Sequence, residues 1–170
     1  MKKQDIIFII CIILIFLPFF VSNKVFYFYD TFNKEHGMIM SFIKFAVLAT
    51  LGESIGLRIR NGVYNKKGFG LLPRAIVWGI LGLTIKMAFV IFATGTPIFL
   101  AYLGFENAVE VMTGSLSPLK LLVAFSISAA MNLIYAPVMM TLHKITDTHI
   151  INNNGTVKGF FKPIKFGEIM

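Results

Sequence analysis

The stretch Ser41–Arg60, SFIKFAVLATLGESIGLRIR, constrains this chain more than any other. It is apolar enough to enter a bilayer, yet it carries Lys44 and Glu53 inside and runs into a basic loop. On an insertion scale, the Leu, Ile, Phe and Val residues between Gly37 and Leu57 contribute roughly −3 to −5 kcal/mol. Two central charges would oppose this with roughly +5 to +7 kcal/mol. Neither charge is central, so the span is marginal and needs neighbouring helices to bury its charges. That requirement predicts a bundle. An ionisable group inside a membrane segment is also a functional candidate by default.

The remaining chain offers those neighbours. Residues are 56% hydrophobic and 14% charged, against about 25% charged in soluble domains. The expected class is an all-α, polytopic membrane helix bundle. Four transmembrane helices are expected at about 6–22, 37–57, 73–94 and 119–142, with a bundle over 1–151 and a cytoplasmic tail over 152–170. The first run outlasts a signal-peptide core, and Phe20-Val21-Ser22 lacks the small residues of a cleavage site. Residues 23–36 read as an outer loop with an aromatic interfacial anchor at Phe26–Tyr29. Gly95-Thr96-Pro97 reads as the end of the third span. Residues 98–117 then read as an interfacial or re-entrant piece, with Glu106 and Glu110 one helical turn apart.

The net charge of +8 needs no nucleic acid to explain it. Eleven of the sixteen basic residues fall on the inner side of such a topology, from Lys2 and Lys3 to Lys165. Lys24, Lys34 and Lys120 fall outside, while Lys44 and Lys86 lie within spans. Both termini are therefore expected in the cytoplasm. The expected location is a cytoplasmic-type membrane, the inner membrane of a bacterium.

Helical periodicity then sorts the faces. Ala49, Gly52 and Gly56 fall within about 60° of one another, with Glu53 on the shoulder. Gly52-x-x-x-Gly56 reads as a close-packing face. Ala75, Gly79, Gly82, Lys86 and Ala93 share one stripe of the third span, and Ser128, Asn132, Tyr135 and Met139 one of the fourth. Lys86, Glu53, Asn132 and Lys44 are the candidates for a solute path, with Lys86 attracting an anion. Each also has a structural reading. Lys44 can snorkel to headgroups, Glu53 can pair with Arg58 or Arg74, and Lys86 can sit in a structural ion pair. Asn132 can glue helices, and the glycines Gly52, Gly56, Gly79 and Gly82 can serve packing alone.

Neither a catalytic set nor a metal-ligand spacing is legible, so no enzyme activity, cofactor or metal is expected. Cys11 lies inside the first apolar run. Asp147 with His143 and His149 reads as a capped, solvated helix end. The expected partners are the lipid bilayer and either a second copy or another membrane protein.

The order of Leu51-Gly52-Glu53, a basic loop, Arg74, then Gly79, Gly82, Gly95-Thr96-Pro97 and Tyr102 resembles the 22-kDa peroxisomal membrane protein family, which also has mitochondrial inner-membrane members. The resemblance covers about 45–142. It implies a small four-helix protein that forms or regulates a solute channel, without cofactor or catalysis, and it carries over Gly52, Glu53, Arg74 and Pro97. The chain departs from that pattern in several places. Its acid is Glu53 rather than Asp, Thr96 splits the Gly–Pro pair, and no tryptophan precedes Tyr102. The family's C-terminal aromatic signature is missing, and the chain ends at FGEIM about where it would begin, so a truncated product is expected. The leading expectation is a channel or transport-related protein for a small anionic solute; the alternative is a non-conducting scaffold or accessory subunit.

The topology makes a direct prediction. In a Cys11→Ser background, cysteines introduced at Asn65 and at Asn107 react with an impermeant maleimide from opposite faces of sealed vesicles. Labelling from the same face would end the four-span arrangement.

Overall fold

A computed structural model describes residues 2–168, and among them the chain is helical with no strand. Four helices are long and apolar enough to cross a membrane: Lys3–Val21, Gly37–Asn61, Leu71–Tyr102 and Pro118–Asn152. The chain forms two compact units, Met1–Met40 and Ser41–Met170.

The first unit holds α1, Lys3–Val21, and α2, Asn23–Glu35. The expected outer loop is thus a second helix, and local chemistry explains it. Ser22 is extended, and its side chain accepts from the Val25 amide, capping α2. Along α2, Phe28 stacks on Phe32 and Lys34 pairs with Asp30, both at helical spacing. Phe19 of α1 meets Tyr29 of α2 edge to face at 5.3 Å.

The second unit contains α4, Leu71–Tyr102, α5, Pro118–Ala130, α6, Ala136–Asn152, and the short α7, Val157–Phe160. Helix α3, Gly37–Asn61, starts in the first unit and lies mostly in the second. Helix α4 runs through Gly95-Thr96-Pro97 without a break, contrary to the expected end at residue 94. A proline removes one amide donor and strains one earlier carbonyl, and membrane-type helices tolerate this where neighbours pack around it. Pro97 is buried here.

The expected re-entrant piece is a cap. Two three-residue 3-10 turns, Glu106–Ala108 and Glu110–Met112, fold between α4 and α5. Ala108 is fully enclosed with Leu100 and Val123, while Glu106 and Glu110 both face outward.

The fourth span is also longer than expected, reaching Asn152. Its α5 and α6 halves join through a π-turn at Met131–Tyr135, where the Ala136 amide reaches back five residues to the Met131 carbonyl. Pro137 follows directly, so the missing donor falls where the helix is already widened.

Close backbone approach fixes two contacts. On α4, a Cβ at Gly79 would run into the Phe42 ring, and one at Gly82 would lie 2.8 Å from the Ser41 carbonyl oxygen. Ser41 Oγ donates to the Gly82 carbonyl at 2.8 Å across the same seam. Beyond α6 the chain turns back toward the start of α4. Gly70 and Gly155 both have positive φ, and a Cβ at Gly70 would lie 2.9 Å from Gly155 Cα. Residues 153–160 of the expected tail are therefore part of the packed unit; Ile169 and Met170 lie outside the described residues.

Gly52 and Gly56 behave differently. No heavy atom lies within 4 Å of a Cβ built at Gly52, and only the Arg60 side chain comes near one at Gly56. Neither glycine stands at a close backbone approach to another helix among the described residues. Gly82→Ala is therefore expected to destabilise the bundle by about 1–3 kcal/mol, and Gly52→Ala to change it by less than about 0.5 kcal/mol. Unfolding by SDS in mixed micelles, followed through the single Trp78, measures both.

Candidate functional site

Helices α3, α4 and α6 bring five polar or aromatic side chains to one end of the second unit: Glu53, Arg74, Trp78, His143 and Asp147. Helical spacing explains the convergence. Arg74 and Trp78 are one turn apart on α4, and His143 and Asp147 one turn apart on α6. Glu53 projects from α3 between them.

Arg74 is the centre. Its side chain is only 7% exposed. One terminal nitrogen pairs with Glu53 Oε2 and the other with Asp147 Oδ1. Its Nε donates to the Phe69 carbonyl at 2.6 Å, and its guanidinium lies over the Phe69 ring, 4.5 Å from the centroid. A planar fork with five donors suits this arrangement, whereas a lysine would supply a single point charge.

Glu53 is equally engaged. Its Oε1 accepts from Trp78 Nε1 at 2.6 Å and from His143 Nε2 at 3.0 Å. A carboxylate only accepts, so His143 carries its hydrogen on Nε2 in this arrangement. The Trp78 and His143 rings lie 4.4 Å apart, tilted by 39°. Below them Val77, Leu81 and Ile150 form an apolar floor, with Met139 and Phe160 against it. His149 is buried and bonds to the Phe160 carbonyl at 3.1 Å.

The pairing of Glu53 with Arg74 is one of the two expected from the sequence. The solvated helix end expected at Asp147 and His143 is instead part of the cluster, because α6 continues ten residues past the expected end at 142. Trp78 was legible as the turn-spaced partner of Arg74 within the expected 73–94 span, and His143 as that of Asp147 once α6 is drawn to its full length. Arg74 stands between the two carboxylates where a cation would be needed, and among the described residues no group of His, Cys, Asp or Glu is arranged to hold a metal ion.

The other expected path residues do not join them. Lys86 is exposed and lies about two turns along α4 from Trp78 and three from Arg74. Asn132 is exposed at the π-turn, donating to the Ser128 carbonyl at 2.8 Å. Lys44 is half-buried on α3. Asn132 does line an apolar groove of about 360 Å³ with Ile85, Phe89, Met131 and Tyr135, between α4 and the π-turn. Tyr135 is held there by a 2.7 Å hydrogen bond to Thr84.

No protein-family model matches the chain, and neither a curated protein nor a solved structure matches it.

The cluster is expected to behave as one unit. Glu53→Leu and Arg74→Met each leave a charge buried without its partner, and each should cost about 3–5 kcal/mol. The double variant should cost less than the two losses added, with a coupling of about 1–3 kcal/mol. SDS unfolding of the four proteins closes the cycle, and strict additivity would show that the pair does not interact.

Proposed function

We propose that this chain is an integral membrane protein that works as a non-conducting accessory subunit, holding another membrane protein rather than passing a solute. The observation that carries this reading is the exposure of Lys86. It stands near the middle of the 32-residue α4, roughly 22 Å from either end. With Arg74 at the inner interface, Lys86 lies about 18 Å deeper along the axis, near the centre of a hydrocarbon core about 30 Å thick. A lysine there costs about 2.5–3.5 kcal/mol on the insertion scale, and that cost favours a chain with a neighbour at this level.

The anion-path reading depended on Lys86 and Glu53 sharing an interior seam. Glu53 is instead closed by three donors, whereas Lys86 is exposed and three turns along α4 from Arg74. The basic residues of the loop between α3 and α4 and of the chain beyond Lys144 support both termini on the cytoplasmic side of a bacterial-type inner membrane. Glu53 and Arg74, two of the four positions that the family resemblance carries over, form the ion pair, and a membrane role without catalysis is common to that family and to this proposal.

Two measurements test it together. Proteoliposomes of the purified chain should pass chloride and phosphate no faster than empty vesicles. In mild detergent, the chain extracted from its native membrane should run in an assembly with a second membrane protein. Anion flux that disappears in Lys86→Met would overturn the proposal in favour of a channel.

A further inference from the structure

Resting on the accessory reading, we infer that Lys86 is the anchor of a docking face for a transmembrane helix of a different protein, one that carries an aspartate or glutamate near its own midpoint. The argument is one of charge complementarity on an apolar surface. Around Lys86 the exposed side chains are Met87, Phe89 and Val90, each about half exposed. Ile85 and Phe89, the residues one before and three after Lys86 on α4, line the groove between α4 and the π-turn, so an apolar furrow runs beside the helix at the level of the lysine. Such a surface offers a helix van der Waals contact and one strong charge, which in hydrocarbon selects a partner by its acid.

Other occupants fit less well. Headgroup phosphate lies beyond the reach of a four-carbon stem from the centre of the core. A parallel second copy brings no acid to this level from its spanning helices in the second unit, because Glu53 and Asp147 both lie at the Arg74 end and are claimed by it. Among the described residues Lys86 makes no hydrogen bond or ion pair of its own. The groove supplies hydrogen-bonding groups as well, through Asn132 and Tyr135, whose side chains can read a polar residue beside the acid.

The test uses the full chain in phosphatidylcholine vesicles at pH 8, labelled with a donor at a cysteine placed at Asn107 in the Cys11→Ser background. The probe is a leucine–alanine transmembrane peptide with one central glutamate and an acceptor label; a glutamine version is its control. The glutamate peptide should associate at a mole fraction at least tenfold lower than the glutamine peptide, and Lys86→Met should abolish that difference. Lys86→Met removes a charge from an outward position, and its unchanged SDS unfolding through Trp78 confirms that the fold is intact.

Three results would overturn the inference. The native chain could take up both peptides equally. Labelled chains could associate with one another in a way that Lys86→Met abolishes, making a second copy the occupant. Adding phosphatidylglycerol could erase the glutamate preference, making an anionic lipid the occupant. Absence of an acid preference in a chain that conducts nothing defeats this inference alone, whereas solute flux defeats the accessory reading whichever peptide binds.

Discussion

A guanidinium that is almost wholly enclosed cannot be left without anions in a low-dielectric interior, and Arg74 draws its anions from two other helices. Glu53 comes from α3 and Asp147 from α6, so the charge balance of one side chain requires three helices to assemble. Neither acid could be buried alone at reasonable cost. Phe69 completes the arrangement by giving Nε its carbonyl and the guanidinium plane its ring. The tight Gly70–Gly155 contact then brings the end of α6 against the start of α4, which sets the distance over which Asp147 has to reach.

From this end outward the character of the interior changes by level. Beyond the Arg74 cluster, α6 meets α4 through Met139, Val77 and Leu81. One level further on, Tyr135 bonds to Thr84, and α3 meets α4 through Ser41 and the two glycines at 79 and 82. At the far end Leu100, Ala108 and Val123 close the unit with apolar contact alone. The row Val123, Ile127, Tyr135, Met139, His143 and Asp147 that faces α4 repeats every four residues or a multiple of four. On a regular helix such a row drifts by about 40° per step. The π-turn at Met131–Tyr135 inserts a wider turn into that row and returns part of the drift, so both halves of the span can face the same partner.

These features explain which parts of the molecule were legible in the sequence. Length and apolarity identify all four long helices, because those properties belong to each segment by itself. The Glu53–Arg74 pair was within reach for a similar reason: a buried acid needs a base, and few bases lie near its level. Helix ends were harder. Pro97 and Gly95 read as a stop, but a proline forfeits only one bond, and packing around a buried Pro97 holds the helix through it. Ending the fourth span at 142 hid His143 and Asp147, although Met139, His143 and Asp147 continue the turn-spaced stripe. Extrapolating that stripe backward placed Asn132 on the inner face, because 100° per residue takes no account of a π-turn. The glycine faces show the same limit. Spacing marks Gly52 and Gly56 as readily as Gly79 and Gly82, yet among the described residues it is at Gly79 and Gly82 that a Cβ would collide with another helix.

The two cations of α4 then separate on geometry. Arg74 carries a flat fork that two carboxylates and a carbonyl can fill from different directions, so it is satisfied inside the chain. Lys86 sits three turns further along the same helix, on the side where the surface is Met87, Phe89 and Val90. Past Arg74 the polar interior gives way to Val77 and Leu81, then to a single Thr84–Tyr135 hydrogen bond, and ends in aliphatic contact at Leu100 and Val123. The inner charge is therefore satisfied by this chain's own helices, whereas the outer one is left exposed.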